Sequence, residues 1–171
     1  MKRLLLLRHA KSSWEGPAGE DHERPLNRRG EKAAERVGAW LREHRITPDL
    51  VLCSSAKRTR QTLDALMPFA GATPAVELLP SLYLAGAPAI LERIRKVADD
   101  NDALMVVGHN PGFEQLARQL AGGGDDGFMT HLATKFPAGA IADLRFNVKQ
   151  WREVAPGEGR LAEFVRPRDL D

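Results

Sequence analysis

The chain of 171 residues has a single cysteine, Cys53, which excludes an internal disulfide. No group of Cys and His residues has the spacing of a structural zinc site, so the second common staple is missing too. Stability must come from packing, and a hydrophobic content of 43% is enough to build a core in one domain spanning residues 1–171. Cys53 itself follows the apolar run Leu50-Val51-Leu52 and reads as a buried strand thiol rather than a nucleophile. An excess of one charge is also lacking: 25 Lys and Arg face 23 Asp and Glu, so no bulk attraction to nucleic acid or membrane is expected and any anion site must be local. Long hydrophobic runs are absent as well. The start, MKRLLLLRHAKSSW, offers only four leucines before an Arg-His pair, short of a signal core or a membrane span. These absences predict a cytoplasmic monomer, without internal repeats or long linkers.

What the chain does contain is alternation. Leu4 to Leu7, Leu50 to Cys53 and Leu104 to Val107 are short, continuous apolar runs, the pattern of strands covered on both faces. Between them lie helical stripes: Ala33, Ala34, Val37, Trp40 and Leu41; then Thr59, Leu63, Leu66, Met67 and Ala70, closed by Gly71; then Ile90, Leu91, Ile94, Val97 and Ala98. Asn110-Pro111 predicts the start of a fourth helix with Phe113, Leu116, Ala117 and Leu120 on its apolar face. The polar, glycine-rich stretch Gly122 to Gly127 reads as a loop. Ala140 to Val148 and Arg160 to Val165, around Pro156-Gly157-Glu158-Gly159, predict a C-terminal antiparallel hairpin in which Trp151 packs. The fold class that follows is α/β: a three-layer α/β/α sandwich on a mostly parallel sheet.

Parallel sheets gather ligands at the carboxyl ends of their strands. Arg8-His9 leave the first strand there, Ser54-Ser55 and Arg58 the second, and Gly108-His109 a later one. Two guanidiniums and two imidazoles converging on one edge suit a phosphate or similar oxyanion, whose oxygens match the planar fork of an arginine. His9 alone would read as an ordinary polar loop residue, and His109 as a helix-capping one; their joint occurrence with the arginines gives them weight. Arg58 and Arg60 lie two apart on a helix, so only one of them can face such a pocket.

In order along the chain, these pieces resemble the histidine phosphatases, and among them the small SixA-type phosphohistidine phosphatases. Arg8-His9-Ala10, followed by Lys11-Ser12-Ser13-Trp14, is similar to the opening motif in its SixA-type form, with Ala in the third place. Arg24-Pro25-Leu26-Asn27-Arg28-Arg29-Gly30, preceded by Asp21, resembles the approach to the first helix. Ser54 to Thr62 matches the Ser-x-x-x-Arg-Ala-x-Gln-Thr pattern, with Thr59 in place of Ala. Val106-Val107-Gly108-His109-Asn110-Pro111 is similar to the second-histidine motif. The resemblance covers most of the chain and implies a phosphoglycerate mutase-like fold. It further implies catalysis by a phosphorylated His9 with Arg8, Arg58 and His109 around the phosphate, and neither metal nor cofactor. The implied partner is a histidine-phosphorylated protein such as a phosphotransfer domain. Lys11, Ser12 and Arg24 are candidate substrate-binding residues beside this set, Arg28 could widen the same positive mouth, and Trp14 either walls the site or packs next to it.

Two rivals stand beside that expectation: a small-molecule phosphomonoesterase of the same superfamily, and a phosphate-binding module without turnover. A pure binder has no need of a nucleophile at His9. Against the ester reading, the segment Glu77 to Gly86 carries Tyr83 and Leu84 where the ester-cleaving relatives hold a carboxylic acid. The exception would be Glu77, should a loop bring its carboxyl into the pocket. Glu20 and Asp21 are expected instead to hold the neighbouring loop by pairing with arginines.

Overall fold

A computed structural model describes residues 1–14, 20–71 and 73–171. Seven strands form one sheet: β1 (Lys2–Arg8), β2 (Leu50–Ser54), β3 (Ala75–Leu79), β4 (Ala103–Gly108), β5 (Ala121–Gly124), β6 (Ile141–Phe146) and β7 (Gly159–Val165), in the order β3-β2-β4-β1-β6-β7-β5. The pairs β3–β2, β2–β4, β4–β1 and β7–β5 are parallel, while β6 runs antiparallel to both β1 and β7. The helices among the described residues are α1 (Arg28–Glu43), α2 (Lys57–Ala70), α3 (Ala87–Arg95), α4 (Gly112–Leu120) and α5 (Asp126–Thr134).

The continuous apolar runs follow from covering the sheet on both sides. Leu4 and Leu6 of β1 pack with Ile90, Leu91 and Ile94 of α3 and Phe113 and Leu116 of α4. Leu5 and Leu7 point the other way, into a cluster with Val37, Trp40 and Leu41 of α1 and Leu63 and Leu66 of α2. Alternate residues of a strand face opposite sides, so a strand between two helical layers has no polar face to show. Cys53 is fully buried in the second cluster, and burial pushes its thiol up to about 12, as expected of an unreactive core residue. Trp151 is also fully buried, in a 3₁₀ turn between β6 and β7, with its indole donating to the Asn101 carbonyl at 2.7 Å.

Two elements depart from the sequence reading. Gly122 to Gly127 is not a loop: Ala121–Gly124 pairs with β7, and α5 begins at Asp126, its first turn capped by the Asp125 carboxylate accepting from Gly127 and Phe128. A Cβ on Gly122 would stand 1.8 Å from the Gly157 carbonyl oxygen, so glycine here permits a close backbone approach rather than flexibility. The other is β3, an edge strand with four of its five residues exposed, which carries no buried apolar face to signal it. The start of α4 also differs by a position: Asn110 and Pro111 precede it, and the Asn110 carboxamide oxygen accepts from the Glu114 N–H at 3.2 Å.

Candidate active site

The carboxyl ends of β1, β2 and β4 open on a cleft of about 370 Å³. Arg8 of β1 stands in register with Gly108 of β4, so His9 and His109, one residue beyond, emerge side by side with ring centroids 5.4 Å apart. The His9 N–H donates to the Gly108 carbonyl at 3.0 Å, which locks the two strand ends together. Arg8, His9, Lys11, Ser12, Arg24, Arg58 and His109 all line this cleft, so seven candidate residues of the sequence reading are brought to one place. Arg28 is exposed on the first turn of α1 and does not line the cleft.

His9 is buried, 8% exposed, and its Nδ1 lies 2.7 Å from the Ala10 carbonyl oxygen. A carbonyl only accepts, so Nδ1 carries the proton and Nε2 keeps its lone pair. Burial lowers the imidazole to about 4; Arg58, Arg8 and Arg24 push the same way, against the Ala10 hydrogen bond. His109, 2% exposed, lies with Nε2 2.8 Å from the Ser54 hydroxyl and is lowered to about 3 by burial, then by His9 and Arg58. Both rings are therefore neutral near pH 7.

Arg8 donates to the Phe136 carbonyl at 3.1 Å, and burial lowers its pKa. Arg58 is 3% exposed at the first turn of α2 and donates to the Asp21 carbonyl at 2.7 Å and the Asp21 carboxylate at 2.9 Å. The helix turn behind it is tied to β2 by Thr59, which is fully buried and donates to the Ser54 and Ala56 carbonyls. The Thr-for-Ala departure is thus a structural tie. Arg60 stands outside the cleft; it is half-buried, with Nε donating to the Ser55 carbonyl, rather than free in solvent. Among the described residues, five buried side-chain nitrogen or oxygen atoms have no hydrogen-bond partner, and three of them are Arg8 Nε, Arg58 Nε and His109 Nδ1. Buried polar nitrogens are ordinarily satisfied, and these three belong to residues lining the same cleft.

Asp21 is the one carboxylate among the described lining residues. It receives Arg24 at 2.8 Å, Arg58 at 2.9 Å and the Tyr83 hydroxyl. The Tyr83 hydrogen bond, joined by the two guanidiniums, holds its carboxyl well below the usual range. The expected pairing of Asp21 with nearby arginines is present; that it sits inside the cleft, with Tyr83 as a third partner, had no signal in the sequence. Glu77 is elsewhere, on exposed β3 and paired with Arg93 at 3.0 Å. Arg24 also stacks over Trp14, its guanidinium carbon 3.4 Å from the ring centroid, so Trp14 walls the cleft. Among the described residues no group of three or more His, Cys, Asp or Glu side chains could hold a metal ion, and no helix is long and apolar enough to cross a membrane.

Fold and cleft together define an α/β protein whose cleft gathers two guanidiniums and two neutral imidazoles, the class of site that suits a phosphoryl group. Comparison with known proteins gives the same class. Residues 4–82 match the model of the histidine phosphatase superfamily (branch 1). The uncharacterized protein Rv1276c of Mycobacterium tuberculosis is 39% identical over 165 residues, covering 95% of this chain and all of that protein. Among solved structures, a candidate phosphohistidine phosphatase SixA from Nakamurella multipartitia is 33% identical with a TM-score of 0.83, covering 97% of this chain and 96% of that one. Another from Agrobacterium tumefaciens is 30% identical with a TM-score of 0.81, covering 97% and 98%. The chain belongs to the histidine phosphatase superfamily and is of the SixA type.

Proposed function

We propose that this phosphatase removes the phosphoryl group from a histidine-phosphorylated protein, such as a phosphotransfer domain, through a phosphohistidine formed on His9. The observation that carries the reading is the state of His9: a buried, neutral imidazole with Nδ1 tied to the Ala10 carbonyl and the lone pair left on Nε2, as a nucleophile requires. In the first step His9 Nε2 forms a bond to phosphorus as the P–N bond of the substrate breaks. The departing imidazole leaves neutral when its other nitrogen already carries a proton. Arg8 and Arg58 stabilise charge on the equatorial oxygens, and His109 adds a further donor if its Nδ1 carries the proton. In the second step water attacks phosphorus, His9 leaves as neutral imidazole, and the proton lost by water ends on the phosphate product or in solvent.

The reading includes the absence of a metal ion, since the arginines supply the positive charge. It also includes a cytoplasmic location, a monomeric single domain over residues 1–171, and no nucleic-acid or membrane partner. Lys11, Ser12 and Arg24 serve as substrate contacts at the cleft wall.

Bond type follows from the missing acid. An alkoxide leaving group needs a proton, and a positioned general acid typically supplies about 10²–10⁴-fold. Asp21 is held ionised by Tyr83, Arg58 and Arg24, and Glu77 is away from the cleft. Phosphoramidate bonds should therefore be cleaved faster than alkyl phosphates by roughly that same factor. Rates measured side by side on a phosphohistidine protein and an unactivated alkyl phosphate, repeated with Asp21→Asn, test this. Equal rates on the two, with the Asn variant losing only the ester activity, would transfer the assignment to an ester phosphatase with Asp21 as its acid.

A further inference from the structure

Beside the phosphate cleft runs a second, larger groove of about 500 Å³. Arg8, Lys11 and Ala138 line both, so the two are continuous. Arg29, Lys32 and Arg36 of α1 form one side of the groove; at spacings of three and four they share a helix face and extend roughly 10 Å along it. Lys135 and the 3₁₀ turn with Arg166 and Arg168 add further cations over an apolar floor of Ala33, Pro137 and Pro167. The lining thus carries eight cationic side chains and one carboxylate, Asp171, in a chain whose whole excess is +2. Asp171 pairs with Arg36, and Asp169 with Arg166, both at 2.8 Å. Arg29, Lys32, Lys135 and Arg168 are exposed and have no ion pair among the described residues.

Charge so segregated, in a molecule that is otherwise net acidic, attracts an extended anion next to the phosphoryl group. A row about 10 Å long exceeds what one phosphate spans and matches several carboxylates on a chain. Trp14, 82% exposed, and Leu84, 52% exposed, line the phosphate cleft and offer apolar contact at its mouth. An exposed aromatic beside a charged groove is the equipment of a protein interface rather than of a small-molecule site.

We propose that this groove docks an acidic segment of the phosphorylated protein, flanking its phosphohistidine, while Trp14 and Leu84 cover the approach on the cleft side. The inference rests on the phosphohistidine phosphatase reading. It makes the enzyme selective for acidic partners through association rate, leaving the chemistry at His9 unchanged.

The test compares two phosphohistidine peptides, one flanked by Glu and one by Gln, with free phosphohistidine as the reference substrate. Wild-type enzyme should show a kcat/KM for the Glu peptide about tenfold above the Gln peptide at low salt, the gap closing as salt screens the charges. The double variant K32E/R168E, with melting unchanged, should abolish that gap and keep its rate on free phosphohistidine. Equal loss on all three substrates, or no loss on any, would overturn the docking role while leaving the phosphatase reading in place. Inhibition by tripolyphosphate or by a short RNA at concentrations where the Glu peptide does not compete would overturn it in favour of a different polyanion. No hydrolysis of any of the three by wild-type enzyme would overturn the parent reading and this one with it.

Discussion

At the scale of residues, the behaviour of the site follows from keeping two imidazoles neutral. An ordinary histidine near 6.5 would be half protonated, and half inactive, just below neutrality. With His9 lowered to about 4 and His109 to about 3, protonation is deferred to acid pH. The log kcat/KM profile on a phosphoramidate should therefore stay flat on its acidic side down to about pH 5 and fall below that, apart from the substrate's own ionisation. A fall centred near 6.5 would contradict the burial of His9. Stability carries the same sign. The unfolded chain protonates these imidazoles near their ordinary ~6.5 and the native state does not, so the stability they lend is present above that pH and drains away as pH falls through about 4. Arg8, His9, Arg58 and His109 were legible in the sequence because each is tied to a strand end or its following helix. Asp21 and Tyr83 were not recognised as a pair: 62 residues apart, they meet only because the 3₁₀ turn at 21–23 packs on α2 and the one at 80–82 on the neighbouring β2.

At the scale of elements, the cleft depends on how α1 meets the loop after β1. Asn27 caps α1 by accepting from the Gly30 N–H at 2.8 Å, and its own N–H donates to the Lys11 carbonyl at 3.0 Å. A Cβ on Gly30 would stand 2.1 Å from that same Lys11 oxygen, so the helix sits against the loop only because residue 30 has no side chain. Gly30→Ala should cost about 1–3 kcal/mol, as overpacking does, and should also lower kcat by displacing Lys11 and Ser12. Melting and kinetics together check it; an unchanged melting point would show that the close approach is dispensable. The elements read correctly from sequence are those with a buried apolar face: β1, β2, β4, the antiparallel pair β6 and β7, and the helices α1 to α4. β5, β3 and α5 escaped because their reasons are different. β5 is a backbone pairing enabled by glycines, β3 is an exposed edge, and α5 buries only Leu132, too narrow a stripe to show helical periodicity.

At the scale of the whole molecule, positive charge is concentrated where a phosphoryl group would sit and along the groove that continues from it. Chelation with EDTA should accordingly leave phosphoramidate hydrolysis unchanged, because the proposed mechanism assigns to Arg8 and Arg58 the neutralisation that a divalent ion performs in metallophosphatases. Activity lost to EDTA and restored by a divalent cation would refute that. The most direct test is to locate the phosphoryl group in flight. Wild-type enzyme mixed with an isotopically labelled phosphohistidine protein, quenched within milliseconds in alkali and mapped by mass spectrometry, should carry label on His9. His9→Ala, folded with an unchanged melting profile, should carry none and turn nothing over. Label on another residue, or steady turnover with no enzyme adduct at any time point, would contradict His9 as the nucleophile.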